Sequence, residues 1–364
     1  MLYIAWFVFL ITILQLLIAC VNLLFRSKLP PGNKSDKPLV SVLIPARNEE
    51  KNIGNVLEDL LNQDYGQIEV IVFNDLSDDA TAEIVTEFSR RDNRIRMINA
   101  DRLPEGWLGK NRACHILSQH ASGEYFLFLD ADVRVGNKLI FNAISYMDRF
   151  GLALVSIFPR QIMMTLGEKM AVPVMNYILL TLLPLVLVRK SIFSSLAAAN
   201  GQFMLFNAAV YKSLNPHEKM KSNMVEDIEI ARYLKKEGYK IACLAGDCTI
   251  QCRMYSGAMD AVRGFSKNVA AFFGNSIMLA FVFWLITSFG FLFALYSLTL
   301  PLMLSYFIVF LLTRIIVSAI SEQNAAENLL LIFPQQISLG LFIFYAFTRK
   351  KNKTYHWKGR EIKS

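Results

Sequence analysis

The chain has 364 residues, 54% of them hydrophobic, and a formal net charge of +8. That apolar share exceeds the norm for a soluble domain and points to a membrane protein. Seven of the basic residues lie between Arg349 and Lys363, opposed there only by Glu361, a block that suits anionic lipid headgroups better than nucleic acid. No aromatic-plus-basic pattern supports a nucleic-acid partner. The five cysteines, Cys20, Cys114, Cys243, Cys248 and Cys252, are odd in number and contain no CxxC pair, which favours a reducing compartment and fits no zinc spacing.

Residues 1–25 form the first apolar run. No Lys or Arg precedes it, whereas Arg26 and Lys28 come directly after it, the reverse of a secretory leader, so a retained transmembrane anchor is expected. The positive-inside rule then puts the domain after Arg26 in the cytoplasm. After a linker at 26–38, residues 39–267 alternate short apolar runs with helical patterns, the order of a parallel α/β sheet. Strands are expected at 39–45, 68–74, 94–99, 125–129 and 152–158, with helices near 50–63, 78–90, 111–120 and 138–148. The run 170–188 is long enough to span but holds Pro173 and Pro184, and is expected to lie along the bilayer surface. Residues 268–348 contain apolar stretches at 273–295, 300–320 and 329–347. Three full crossings would leave the basic tail, 349–364, outside, so an even number is expected. Arg314 is the main polar residue in these stretches and could snorkel or pair inside the bundle.

Polar residues gather where the strands end, the usual place for ligands in such sheets. The first strand runs into Pro45-Ala46-Arg47-Asn48-Glu49 and the second into Asn74-Asp75, whose carboxylate can accept hydrogen bonds from a base or ribose. Ser77 and Asp78 could instead cap the next helix. Gly109-Lys110-Asn111 opens a helical pattern, placing Lys110 and free N–H groups where a diphosphate would bind. Asp130-Ala131-Asp132 comes at the end of the fourth strand. Residues two apart on extended chain face the same way, so both carboxylates can reach one divalent cation, although a purely structural pair is the plainer alternative. Glu226-Asp227 starts a further helix. These acids could simply complement its dipole, or the helix end could keep Asp227 ionised as a general base.

Together, in this order, the motifs resemble family 2 glycosyltransferases of the GT-A fold. Gly106-Trp107-Leu108-Gly109-Lys110-Asn111, Arg253-Met254-Tyr255 and Gly264-Phe265-Ser266-Lys267-Asn268 are similar to the bacterial carotenoid and hopanoid-associated branch. The resemblance implies a Rossmann-like α/β domain over 39–267 and inverting transfer from a nucleotide sugar, with UDP the expected carrier, to a membrane lipid. It implies donor contacts from Pro45, Ala46, Asn48, Glu49, Asp75, Lys110, Asp130, Gln251 and Arg253. It further implies Mg²⁺ or Mn²⁺ on Asp130 and Asp132, with Asp227 as base beside Glu226. A multi-pass protein of the plasma membrane with a cytoplasmic catalytic domain is expected. Processive polysaccharide synthases of the family carry Gln-x-x-Arg-Trp where this chain has Gln251-Cys252-Arg253-Met254-Tyr255, so Tyr replaces Trp. The other readings are such a synthase and, in a different class, a nucleotide-binding transporter or scaffold.

Overall fold

In the computed structural model, most of the short apolar runs become strands buried nearly end to end, leaving no exposed polar face to compete with pairing, while Ile95–Asn99 at the sheet edge exposes Arg96 and Asn99. All residues are described except 27–28, 30, 33–36, 102, 353, 358–359 and 364. Lys28, Pro30 and Asn33 of the expected linker, and Lys353, Lys358, Gly359 and Ser364 of the tail, therefore lie outside the described residues.

The strands are β1 (Val40–Ala46), β2 (Ile68–Asn74), β3 (Ile95–Asn99), β4 (Tyr125–Leu129), β5 (Val133–Val135), β6 (Leu154–Phe158), β7 (Arg160–Gln161), β8 (Phe203–Asn207), β9 (Ile241–Ala245) and β10 (Ile250–Cys252). Seven form one sheet in the order β3-β2-β1-β4-β8-β6-β9. β1 pairs in parallel with both β2 and β4. Its ladder to β4 stops at Leu43 opposite Phe128, so Pro45, which has no N–H to give, lies beyond that ladder. The sheet is not wholly parallel as expected: β8 runs antiparallel to both β4 and β6. A parallel β8 would need a crossover covering this sheet, whereas the chain between β6 and β8 includes Gln161–Leu187, which belongs to another compact unit.

That division separates Ser27–Arg160 with Val188–Cys252 and Tyr355–Ser364, the α/β unit, from Met1–Arg26, Gln161–Leu187 and Arg253–Thr354, the helical unit. Residues 253–267 thus group with the helical unit. In the helical unit, Leu2–Leu24, Ile277–Ser297 and Leu300–Ile320 are long and apolar enough to cross a membrane. At 1.5 Å per residue each reaches about 30 Å or a little more, the thickness of the hydrocarbon layer. The final helix, Ile332–Asn352, is as long but less apolar, carrying Arg349-Lys350-Lys351 at its end. Close packing uses small residues: a Cβ on Gly290 would stand 2.6 Å from Val8 Cγ1, and one on Gly340 would stand 2.9 Å from the Trp284 ring.

The 170–188 stretch is not one continuous helix. The ten-residue helix Pro173–Leu182 is largely buried, and it stops before Pro184. Asn22 closes the break: its Nδ2 donates to the carbonyls of Leu180 and Leu183, at 3.0 and 2.9 Å, and its Oδ1 accepts from Leu185 N at 2.7 Å.

Candidate active site

The C-terminal ends of β1 and β2 carry two interlocked loops. Asn48 and Leu76 both have positive φ, 53° and 55°, a conformation costly for leucine that persists only when its surroundings hold it. Arg47 supplies that hold, its Nη1 donating to the carbonyls of Asp75 and Leu76 at 2.6 and 2.9 Å. Asn48 N donates to Ser77 Oγ, and Asn48 Oδ1 accepts from Asp78 N. Ser77 thus braces the neighbouring loop, and it is Asp79 Oδ1 that accepts from Thr81 N at the helix start. Glu49 takes Asn52 Nδ2 on its carboxylate, and its N–H donates to Thr81 Oγ1. Asp75 is buried at 1% exposure, with its N–H on the Ala46 carbonyl.

A second cluster forms around Gly201. Lys110, near the start of the helix Gly109–Gln119, pairs with Asp130 at 2.8 Å, donates to the Gly201 carbonyl at 3.3 Å and stands 3.7 Å from Glu226. Asp227 accepts from Gly201 N at 2.9 Å and from Ile228 N at 2.8 Å. A Cβ on residue 201 would lie 3.1 Å from Lys110 Nζ and 3.5 Å from Glu226 Oε1, so glycine leaves room for the acids and the lysine to converge. No motif in the sequence pointed to Gly201. The available signal was Asn200-Gly201-Gln202 immediately before an apolar run, which becomes β8.

Asp130 and Asp132 lie in a turn, closed by Val133 N donating to the Asp130 carbonyl, and not on the extended chain expected from their spacing. Asp132 Oδ1 is buried with no hydrogen-bond partner. Burial, reinforced by the charge of Asp130, pushes the Asp132 carboxyl up to about 6 despite Lys110 and the Cys252 thiol. Cys252 Sγ accepts from Gln202 Nε2 at 2.8 Å. Burial also pushes Glu226 up to about 7 and raises Asp227, with Lys110 opposing both shifts. Lys110 is held well above its ordinary value: desolvation works against its charge, and Asp130 and Glu226 outweigh that.

The structure therefore brings together Lys110, Asp130, Glu226 and Asp227. It does not bring every expected donor contact into this cluster. Gln251, on β10 opposite Arg134, donates to the Cys248 carbonyl, and Arg253 falls in the helical unit, where it pairs with Glu168 at 2.8 Å.

A Rossmann-like sheet with acids and a lysine at the strand ends is the arrangement of the GT-A fold, the class of glycosyltransferases that the comparisons support. More particularly, the model described as "Glycosyl transferase family 2" matches residues 41–214. A 4,4'-diaponeurosporenoate glycosyltransferase of Staphylococcus haemolyticus is 27% identical over 69% of this chain and 68% of its own. One of Staphylococcus aureus is 25% identical over 76% and 74% respectively. Among solved structures, the mannosyltransferase PcManGT from Pyrobaculum calidifontis, in complex with GDP-Man and Mn²⁺, shares the fold with a TM-score of 0.56 at 16% identity, over 96% of this chain and 99% of that one.

Proposed function

We propose that this glycosyltransferase moves a sugar from a UDP-sugar to a lipid acceptor with inversion at the anomeric carbon, Asp227 being the base. The observation that carries the reading is the placement of Asp227: both its oxygens accept backbone N–H groups, beside the Lys110–Asp130 pair. So held, the carboxylate takes the proton from the acceptor hydroxyl as that oxygen attacks the anomeric carbon, and the bonding pair leaves with the diphosphate. Inversion in one displacement needs no covalent intermediate. Asp75 is the acceptor for the base of the nucleotide, and the loops at Pro45, Ala46, Asn48 and Glu49 shape that end of the donor pocket. Lys110 is the cation for the diphosphate.

Mg²⁺ or Mn²⁺ fits the donor set at Asp130 and Asp132, two hard oxygen ligands of which Asp132 Oδ1 is buried without a partner. Among the described residues no group of three or more His, Cys, Asp or Glu is arranged to hold a metal, so the remaining ligands come from the donor. Such a cation neutralises charge on the departing diphosphate when bound.

Apolar helices in the same chain, and the relatives' printed substrate, 4,4'-diaponeurosporenoate, support a carotenoid or other isoprenoid acceptor at the membrane; a carboxylate acceptor of the relatives' kind attacks without a base, so the role of Asp227 requires an acceptor that bears a hydroxyl. Keeping such an acceptor near the bilayer avoids about 0.8 kcal/mol per CH₂ transferred to water. The basic residues Arg26 and Arg349 support a plasma-membrane protein with its α/β unit on the cytoplasmic side. The test is to incubate membranes holding the protein with a panel of nucleotide sugars, with and without chelator, and to search for a sugar-bearing lipid by mass spectrometry. A cation-dependent glycolipid is expected. Transfer undiminished in excess chelator overturns the metal assignment, and a soluble product alone overturns the lipid acceptor.

A further inference from the structure

Arg314 lies inside the helical unit, 4% exposed, on the helix Leu300–Ile320. It does not snorkel. Its guanidinium carbon stacks 3.7 Å from the centroid of Tyr177, and Nη1 donates to Gln335 Oε1 at 3.3 Å, while Nε and Nη2 have no hydrogen-bond partner. The Gln335 amide nitrogen is already committed to the Lys169 carbonyl and Asn328 Oδ1, so Gln335 offers only that one oxygen. The Tyr177 phenol donates to Gln15 Oε1 at 3.3 Å, and the buried Gln15 Nε2 also lacks a hydrogen-bond partner among the described residues. Two residues with orphan donors, from different elements, thus both contact Tyr177.

Among the described residues of this unit, the charge of Arg314 is uncompensated as well. The acids of this unit are Glu168, Asp260, Glu322 and Glu327. Glu168 pairs with Arg253, Glu322 with Arg26 and Glu327 with Lys169, and Asp260 accepts from Ser256 N. A buried arginine without an anion is costly in protein and costlier among apolar helices. Three unmatched donors and one positive charge call for a single group rich in acceptor oxygens.

We propose that Arg314, Gln15 and Tyr177 form a binding site for the oxyanion of a lipid, a carboxylate or a phosphate ester, seated between these helices. Arg314 stands six residues before the end of its helix, about 9 Å along the axis, a depth that the charged end of an intercalated lipid can reach and a water-soluble anion does not readily enter. The planar guanidinium gives two parallel N–H groups to one oxyanion, with the Gln15 amide adding a third. The site does not depend on the transfer reaction.

The full chain, purified in a neutral detergent and followed by native mass spectrometry, is titrated with oleate, phosphatidylglycerol and monoolein. One bound oxyanion lipid, held at least about tenfold tighter than monoolein, is expected, and the stronger of the two anionic lipids identifies the source of the oxyanion. R314Q should lose about tenfold or more of that affinity with monoolein unchanged, and Q15L should lose less. Equal retention of all three lipids by the parent protein means that water alone satisfies the guanidinium and overturns the site, whether or not the variants fold. Undiminished retention in folded R314Q overturns it too.

Discussion

Asp227 and Glu226 are neighbours at the start of one helix, yet only Asp227 is gripped by backbone donors at both oxygens, whereas Glu226 faces Lys110 across 3.7 Å. Asp227→Asn keeps the shape and removes the base, so turnover should fall on the order of a hundredfold or more with UDP affinity nearly unchanged. A role limited to the helix dipole would cost only about 0.3–1 kcal/mol of stability and leave transfer largely intact. Assaying sugar transfer and UDP binding on the same membranes separates the two, and near-parental transfer by Asp227→Asn removes the assignment. Glu226 makes a different prediction. Burial raises its carboxyl from 4.5 to about 7, so between those values the folded protein binds a proton that the unfolded chain has lost. Its contribution to stability is full below about 4.5 and is lost as pH rises towards about 7. Glu226→Gln should therefore melt with the parent at pH near 5 and above it at pH near 7.5, measured without donor or divalent cation. Equal melting shifts at both pH values would contradict the buried, raised carboxyl.

Among the elements, β1, β2, β3, β4 and β6 were readable to within two residues, all but β3 as buried apolar runs between turn residues, whereas the three-residue β5 was too short to announce itself. The antiparallel β8 was not: its five residues carry no sign of direction, and direction here depends on where the chain between 161 and 187 goes. Likewise Pro184 announced a break, but nothing local could announce that Asn22 closes it, since the partners are more than 150 residues apart in the chain. The candidate acids were readable as motifs, while the Gly201 backbone and the Arg47 clamp that position them depend on tertiary contacts. The Asn22 contact yields its own prediction. Removing its side chain strands two carbonyls and one N–H beside the break, where each unsatisfied backbone group costs about 1–3 kcal/mol less whatever water recovers. Asn22→Leu should therefore destabilise the protein by about 2–4 kcal/mol, while Asn22→Gln should retain part of the loss. Thermal unfolding of the detergent-solubilised chain checks it, and a parental melting temperature for Asn22→Leu would show that the three groups find other partners.

For the whole molecule, the decisive question is on which side of the membrane the α/β unit works. No Lys or Arg occurs from 268 to 313, which covers the whole of Ile277–Ser297 and the two-residue connection to Leu300–Ile320, whereas Arg26 stands just after the first apolar helix and Arg349 lies in the last. With Leu2–Leu24, Ile277–Ser297 and Leu300–Ile320 as the crossings, the positive-inside rule sets the α/β unit and the C-terminal residues in the cytoplasm and Leu298–Thr299 outside. Native cysteines give a probe, because Cys248, in the α/β unit, is exposed while Cys114, Cys243 and Cys252 are buried. A membrane-impermeant maleimide should label Cys248 in inverted vesicles and leave it unlabelled in intact cells. A cysteine placed at Thr299 in a Cys248→Ser background should behave in the opposite way. Labelling of Cys248 from outside would put the α/β unit away from cytoplasmic nucleotide sugars and overturn the donor assignment with the topology. Labelling of both positions from inside would leave the α/β unit in place and reject the hairpin, so that Ile277–Ser297 and Leu300–Ile320 could no longer be counted as a pair of crossings.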